Sequence, residues 1–199
     1  MTPTFLRRAI VLALALSLAA CGGKATFPLS GTVSGLTYEG LVLTSNGMDL
    51  AVPAKSTTFT FPSQLSYGDV YAVTQKTKPA HQDCSSIIGG ADTAGRLATI
   101  NVTVTCTVNS AAVGGTVTGL KSAGLVLTNG SSGGTVAPVP SADGSAVVFT
   151  LPSTVPYGVT YGITVLAQPA TETCTVGPNG TAVMGDDAVA NIVVTCQPN

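Results

Sequence analysis

Polar and apolar residues alternate one by one through much of this chain. Ile100, Val102, Val104 and Cys106 are separated by Asn101, Thr103 and Thr105, and Ala190, Ile192, Val194 and Cys196 repeat the pattern near the end. Tyr161, Ile163, Val165 and Ala167 alternate with Thr160, Gly162 and Thr164, matching Tyr71 and Val73 earlier in the chain, while Phe59 and Phe61 flank Thr60. A period of two is that of a half-buried strand, so one face of each segment should meet a core, with both late cysteines on the core side. Clusters of Gly, Pro, Asn and Ser separate the runs, as turns between strands require. No segment of the body reads as a helix of ordinary length, and roughly seven short strands fall in each half, the profile of a β-sandwich.

The halves are copies of each other. Gly31, Thr32, Val33, Ser34, Gly35, Leu36 returns as Gly115, Thr116, Val117, Thr118, Gly119, Leu120, and Gly40 to Thr44 returns as Gly124 to Thr128, both at an offset of 84. From Phe59 the offset is 90: Phe59 to Ser63 matches Phe149 to Ser153, and Tyr67, Gly68, Tyr71, Pro79, Cys84 and Cys106 match Tyr157, Gly158, Tyr161, Pro169, Cys174 and Cys196. The six-residue difference is expected in the Gly/Ser stretch Asn129 to Gly134, where a surface loop would absorb it. A period of this length is too long for a solenoid and suits a small autonomous domain, which gives repeats over 27–109 and 110–199.

The N-terminal stretch has a different pattern. Arg7 and Arg8 precede a twelve-residue apolar stretch, Ala9 to Ala20, which ends in Leu18, Ala19, Ala20, Cys21. That run is shorter than the roughly 20 residues a membrane-spanning helix needs, and it has the layout of a cleaved secretory signal. The four residues ending at Cys21 resemble the lipobox of bacterial lipoproteins. The resemblance implies a signal peptide over 1–20, a lipid on the Cys21 thiol, and a lipidated tether over 21–26. Gly22 rather than Asp follows the cysteine, which by analogy with the sorting rule of enteric bacteria points to the outer membrane of the cell envelope. The body would then be tethered to the membrane without crossing it.

Composition narrows the function classes. Charged residues make up 9% of the chain, far below the ~25% of an average soluble protein. Setting Arg7 and Arg8 aside from the eight basic residues leaves six against nine acidic ones, a net charge of −3. That excludes a basic patch for nucleic acid. Of the five cysteines, Cys21 is assigned to lipid, and Cys84, Cys106, Cys174 and Cys196 remain. Four cysteines permit three pairings, and the equal separation of 22 within each copy favours Cys84 with Cys106 and Cys174 with Cys196. An oxidising compartment permits both bonds. A zinc site or redox pair would need closer cysteines or additional His ligands, and the chain has one histidine, His81, whose counterpart is Thr171. His81 is expected at the surface.

Leu65 to Tyr71 and Val155 to Tyr161 share an apolar residue, a Gly turn and a Tyr three positions later. This resembles the tyrosine corner of Greek-key sandwiches, which implies that the Tyr71 and Tyr161 hydroxyls bond back to the turn backbone. The order of Gly-x-Val, Gly-Leu-Val-Leu, Phe-x-Phe and Gly-x-x-Tyr is similar to transthyretin-like modules, including carboxypeptidase regulatory-like and Cna B-type domains. Whole copies also resemble tandem Cys-bearing repeats of proteobacterial lipoproteins. The fold expected is therefore all-β, with two tandem Ig-like or transthyretin-like sandwiches after a lipoprotein signal. Lys55 has no matching lysine in the second copy, so no isopeptide bond is expected.

No catalytic constellation emerges from the sequence. His81 stands in a Lys76, Lys78, Pro79 segment without a nucleophile motif, and Asp186 with Asp187 reads as a solvated turn ahead of a weak calcium site. The expected function is a non-catalytic structural, adhesive or protein-interaction role, without cofactor or metal. The membrane is expected as a partner through the anchor, together with an unidentified protein or glycan ligand. A carbohydrate-binding accessory module is the alternative; there is no Trp, and Tyr38 is its plainest exposed aromatic candidate.

Overall fold

The computed structural model describes residues 24–130 and 133–199. The expected signal segment, Cys21, and Ser131 with Ser132 lie outside the described residues. The chain is all-β and divides into two compact units. Among the described residues, one takes 24–78 together with Cys84–Thr105; the other takes Pro79–Asp83 together with Cys106–Asn199.

The first repeat contributes β1 (Thr26–Ser34), β2 (Leu41–Ser45), β3 (Met48–Val52), β4 (Thr58–Ser66), β5 (Val70–Ala72), β6 (Thr74–Thr77), β7 (Gln82–Ile88), β8 (Ala91–Thr93) and β9 (Val102–Val108). One sheet has the order β4-β1-β9-β7, and the other layer holds β3-β2-β6 and the short β5-β8 pair. The second repeat contributes β10 (Ser110–Ala111), β11 (Val113–Thr118), β12 (Val126–Asn129), β13 (Gly134–Val136), β14 (Val147–Thr150), β15 (Val155–Pro156), β16 (Thr160–Ala167), β17 (Glu172–Val176), β18 (Thr181–Val183) and β19 (Val189–Pro198). Its sheets are β14-β11-β19-β17 and β13-β12-β16-β18, with a two-residue β10-β15 pair. The strand count exceeds the expected seven per copy because several pieces are only two or three residues long. In the first repeat, Val73 also separates β5 from β6, where the second repeat runs one continuous β16.

Alternation places the core as the sequence pattern requires. Phe59 and Phe61 are buried around exposed Thr60, Val102, Val104 and Cys106 are buried, and Tyr161 and Ile163 point inward. Ala167 and Ala190 are exceptions and are exposed. β11 and β19 run parallel, with Val113 opposite Val189 and Gly115 opposite Ile192, so β19 carries one extra residue between these pairs. This bulge turns Val189 towards the core and Ala190 away from it.

In each repeat the first long strand lies parallel and adjacent to the last, β1 with β9 and β11 with β19. The approach is close at equivalent glycines. A Cβ on Gly31 would lie 1.9 Å from the Val102 carbonyl oxygen, and one on Gly115 would lie 1.9 Å from that of Ile192. The outer face of the first sheet carries short polar side chains, and Thr32 donates to Thr103 and Ser34 to Thr105 across the parallel pair.

The six additional residues of the second repeat are not gathered in Asn129 to Gly134. The β2–β3 hairpin is joined by residues 46–47 and its counterpart by 130–133, while the connection 53–57 becomes 137–146. The insertion is thus shared between two connections.

Candidate functional site

All four cysteines of the body are disulfide-bonded. Cys174 pairs with Cys196, a direct cross-strand partner in the antiparallel β17–β19 ladder. With that pair closed and Cys84 and Cys106 both bonded, five cysteines in the chain leave Cys84 with Cys106 as the second bridge. Each bridge ties the last long strand of its repeat to its neighbour in the sheet order.

Tyr71 and Tyr161 sit in the cores, each 4% exposed. Neither hydroxyl hydrogen-bonds to another described residue, so the structure holds two core tyrosines without the back-bond that the tyrosine-corner resemblance implies. Burial, and then the negative charge of Asp92, push the Tyr71 hydroxyl above its ordinary range. Asp92 is its cross-strand partner on β8.

The distinctive chemistry lies in the turns at Tyr67 and Tyr157. In each repeat the turn is knitted to the segment after β8 or β18 by two backbone bonds. The Gly68 amide donates to Ala94 and the Ala94 amide to Asp69; in the second copy the Gly158 amide donates to Met184 and the Met184 amide to Val159. Gly68 and Gly158 have φ of 90° and 78°, the left-handed conformation this turn needs. The tyrosine amides are held alike, Tyr67 donating to the Ala25 carbonyl at 3.1 Å and Tyr157 to that of Asn109 at 2.8 Å. The same backbone frame therefore presents a tyrosine at both positions.

The surroundings of the two rings differ. In the second unit the His81 ring stacks on Tyr157, with centroids 3.6 Å apart and planes within 6°. His81 Nδ1 lies 2.6 Å from Asp186 Oδ2, and Asn109 Nδ2 donates to Asp186 Oδ1 at 3.1 Å. An ionised carboxylate only accepts, so Nδ1 carries the proton in this contact. The hydrogen bond from His81 holds the Asp186 carboxyl below the usual carboxylate range, outweighing the opposing effect of burial. The Asn109 amide also donates to the His81 carbonyl at 2.8 Å. His81 is consequently a half-buried, engaged residue rather than a free surface one, its backbone fixed at φ 56°. Asp187 remains exposed beside a concavity of about 560 Å³ lined by residues 185–191. Among the described residues no three His, Cys, Asp or Glu side chains gather as a metal site would need.

Tyr67 is 70% exposed. Its ring rests on Gly95, where a Cβ would come within 2.3 Å of Cδ2 and 2.6 Å of Cε2. Gly95 has φ of 93°, so both its conformation and the ring above it require the missing side chain. No aromatic ring among the described residues stacks on Tyr67. Tyr38, the expected exposed aromatic, is half-buried instead.

The sequence pattern missed a buried carboxylate. Glu172 is 3% exposed, and its Oε2 accepts from the Ser122 hydroxyl at 2.6 Å while Oε1 accepts from Thr171 at 2.9 Å. Hydrogen bonding from Ser122 holds its carboxyl below the ordinary range against the opposing effect of burial. Its counterpart Gln82 is also buried, so a polar core position in both copies was the available signal.

No family model and no curated protein matches this chain. Among solved structures it is similar to the Bacillus anthracis TIE protein, at 13% identity and a TM-score of 0.46, over 87% of this chain and 34% of that one. The chain therefore spans about a third of the length of that protein.

Proposed function

We propose that this chain is a lipid-anchored, non-catalytic protein of the bacterial cell envelope, displaying two disulfide-closed sandwich repeats in a structural, adhesive or protein-interaction role. The observation that carries this reading is the apolar run ending at Cys21, only five positions before the first strand begins at Thr26. A lipid at that cysteine would leave a short tether, and the outer membrane follows as its location from Gly22. One acyl chain gives only marginal membrane binding, so a multiply acylated cysteine is what a stable anchor needs. Kinship with transthyretin-like and carboxypeptidase regulatory-like modules, part of the same proposal, rests on the ordered motifs of both copies.

Membrane fractionation with labelled palmitate tests the anchor. The wild-type chain should take up label and sediment with membranes, and Cys21→Ser should lose the label and be released or stay uncleaved. A processed, membrane-bound Cys21→Ser protein would overturn the proposal. The second reading, a carbohydrate-binding accessory module, is favoured by one observation, the open ring of Tyr67.

A further inference from the structure

We propose that Tyr67, Gly95 and Arg96 form a stacking platform for a pyranose ring of a glycan. This deepens the binding role proposed above and names its ligand class. The second unit shows what a tyrosine on this backbone frame does when a ring is supplied: Tyr157 takes His81 flat against its face, and Asp186 holds the ring edge-on through a hydrogen bond. Tyr67 occupies the same frame with its Cδ2 and Cε2 against Gly95 and most of its ring exposed. At the position of Asp186 stands Arg96, whose side chain is 74% exposed.

The polar groups around Tyr67 select the ligand. Arg96 Nη1 donates to Asp92 Oδ1 at 3.2 Å, which leaves most of the five guanidinium donors available. Asp69 Oδ2 accepts from the Ser66 amide at 2.7 Å and Asp92 Oδ1 from the Thr93 amide at 2.7 Å, leaving one oxygen on each carboxylate for a further donor. Arg96 is paired with Asp92, and Asp69 lies in the Tyr67 turn, so donors and acceptors stand side by side here. Vicinal hydroxyls, each both donor and acceptor, match donors and acceptors placed together, and the C–H face of a sugar suits the electron-rich face of the tyrosine ring.

Isothermal titration calorimetry of the full chain with cellohexaose, chitohexaose and laminarihexaose tests the assignment. At least one should bind saturably, with affinity reduced at least tenfold by Tyr67→Ala and by Arg96→Gln. Tyr67→Phe should stay within threefold of wild type, because the hydroxyl has no part in the stack. Tyr157→Ala should stay within twofold, because that face is already covered. Tyr67 is exposed, so its truncation leaves the core intact, and circular dichroism of the variant checks this. Absence of saturable binding to all three glycans, or unchanged affinity in Tyr67→Ala, would overturn the platform. Either result is independent of the fractionation outcome for Cys21→Ser, so failure of the platform and failure of the anchor are separately visible.

Discussion

Replacing Gly115 with Ala should cost the second unit a large part of its stability. The new Cβ would stand 1.9 Å from the Ile192 carbonyl oxygen, against the 3.0 Å below which such contacts essentially never occur. The obstacle is backbone in the adjacent parallel strand, so no rotamer change relieves it, and β11 and β19 must separate along their shared ladder. Overpacking of ordinary cores costs about 1–3 kcal/mol. With backbone as the obstacle, about 3 kcal/mol is the expected loss, out of the 5–15 kcal/mol typical of a whole domain. For a domain of this size that corresponds to a melting temperature lower by roughly 12–24 °C. Urea unfolding by circular dichroism reads the global change, and hydrogen exchange in peptides covering residues 113–118 and 189–198 locates it. Gly130→Ala is the control, because a Cβ there meets nothing within 4 Å. A Gly115→Ala protein within about 0.5 kcal/mol of wild type, the range of an uneventful surface change, would refute the close approach.

Other expectations follow from single contacts. Cys174→Ala with Cys196→Ala removes a bridge between residues 22 apart, and the chain-entropy estimate for such a loop gives a loss of about 3 kcal/mol, measurable by urea unfolding. Ser45 Oγ is buried without a hydrogen-bond partner among the described residues, so Ser45→Ala should raise stability by about 1 kcal/mol in the same assay. Because the hydrogen bond from His81 holds the folded Asp186 carboxyl below the ordinary aspartate range, the stability from its contacts with His81 and Asn109 is present above the unfolded value and is lost as pH falls through the folded one. Exchange protection of residues 79–83 should therefore decline below about pH 4, and Asp186→Asn should remove that dependence; an identical acid profile in the variant would contradict it.

How much of this was legible in the sequence depended on whether the signal was local. Alternation along Val102 to Cys106 fixes which side chains enter the core, and the repeated Gly31 and Gly115 mark where strands approach closely. The bulge opposite Val113 was hidden, since an extra residue in β19 becomes visible only once its partner strand is known, and it reversed Ala190. Alternation marks Tyr71 and Tyr161 as inward-facing, and both are buried, but a hydroxyl bond depends on the path of a turn backbone that residue types do not specify. His81 and Tyr157 are 76 positions apart, and no local pattern brings such a pair together. Tyr67 and Tyr157 look equivalent in sequence. Their difference arises from what lies against them, Gly95 in one case and His81 in the other.

Intact mass spectrometry of the protein extracted from cell membranes tests the central claim most directly. The account predicts a chain beginning at Cys21, carrying the added mass of a diacylglyceryl group and further acylation, and four hydrogens lighter than the reduced protein because both disulfides are closed. An unacylated protein that begins at Met1 or at any residue other than Cys21 would contradict the lipid-anchored reading.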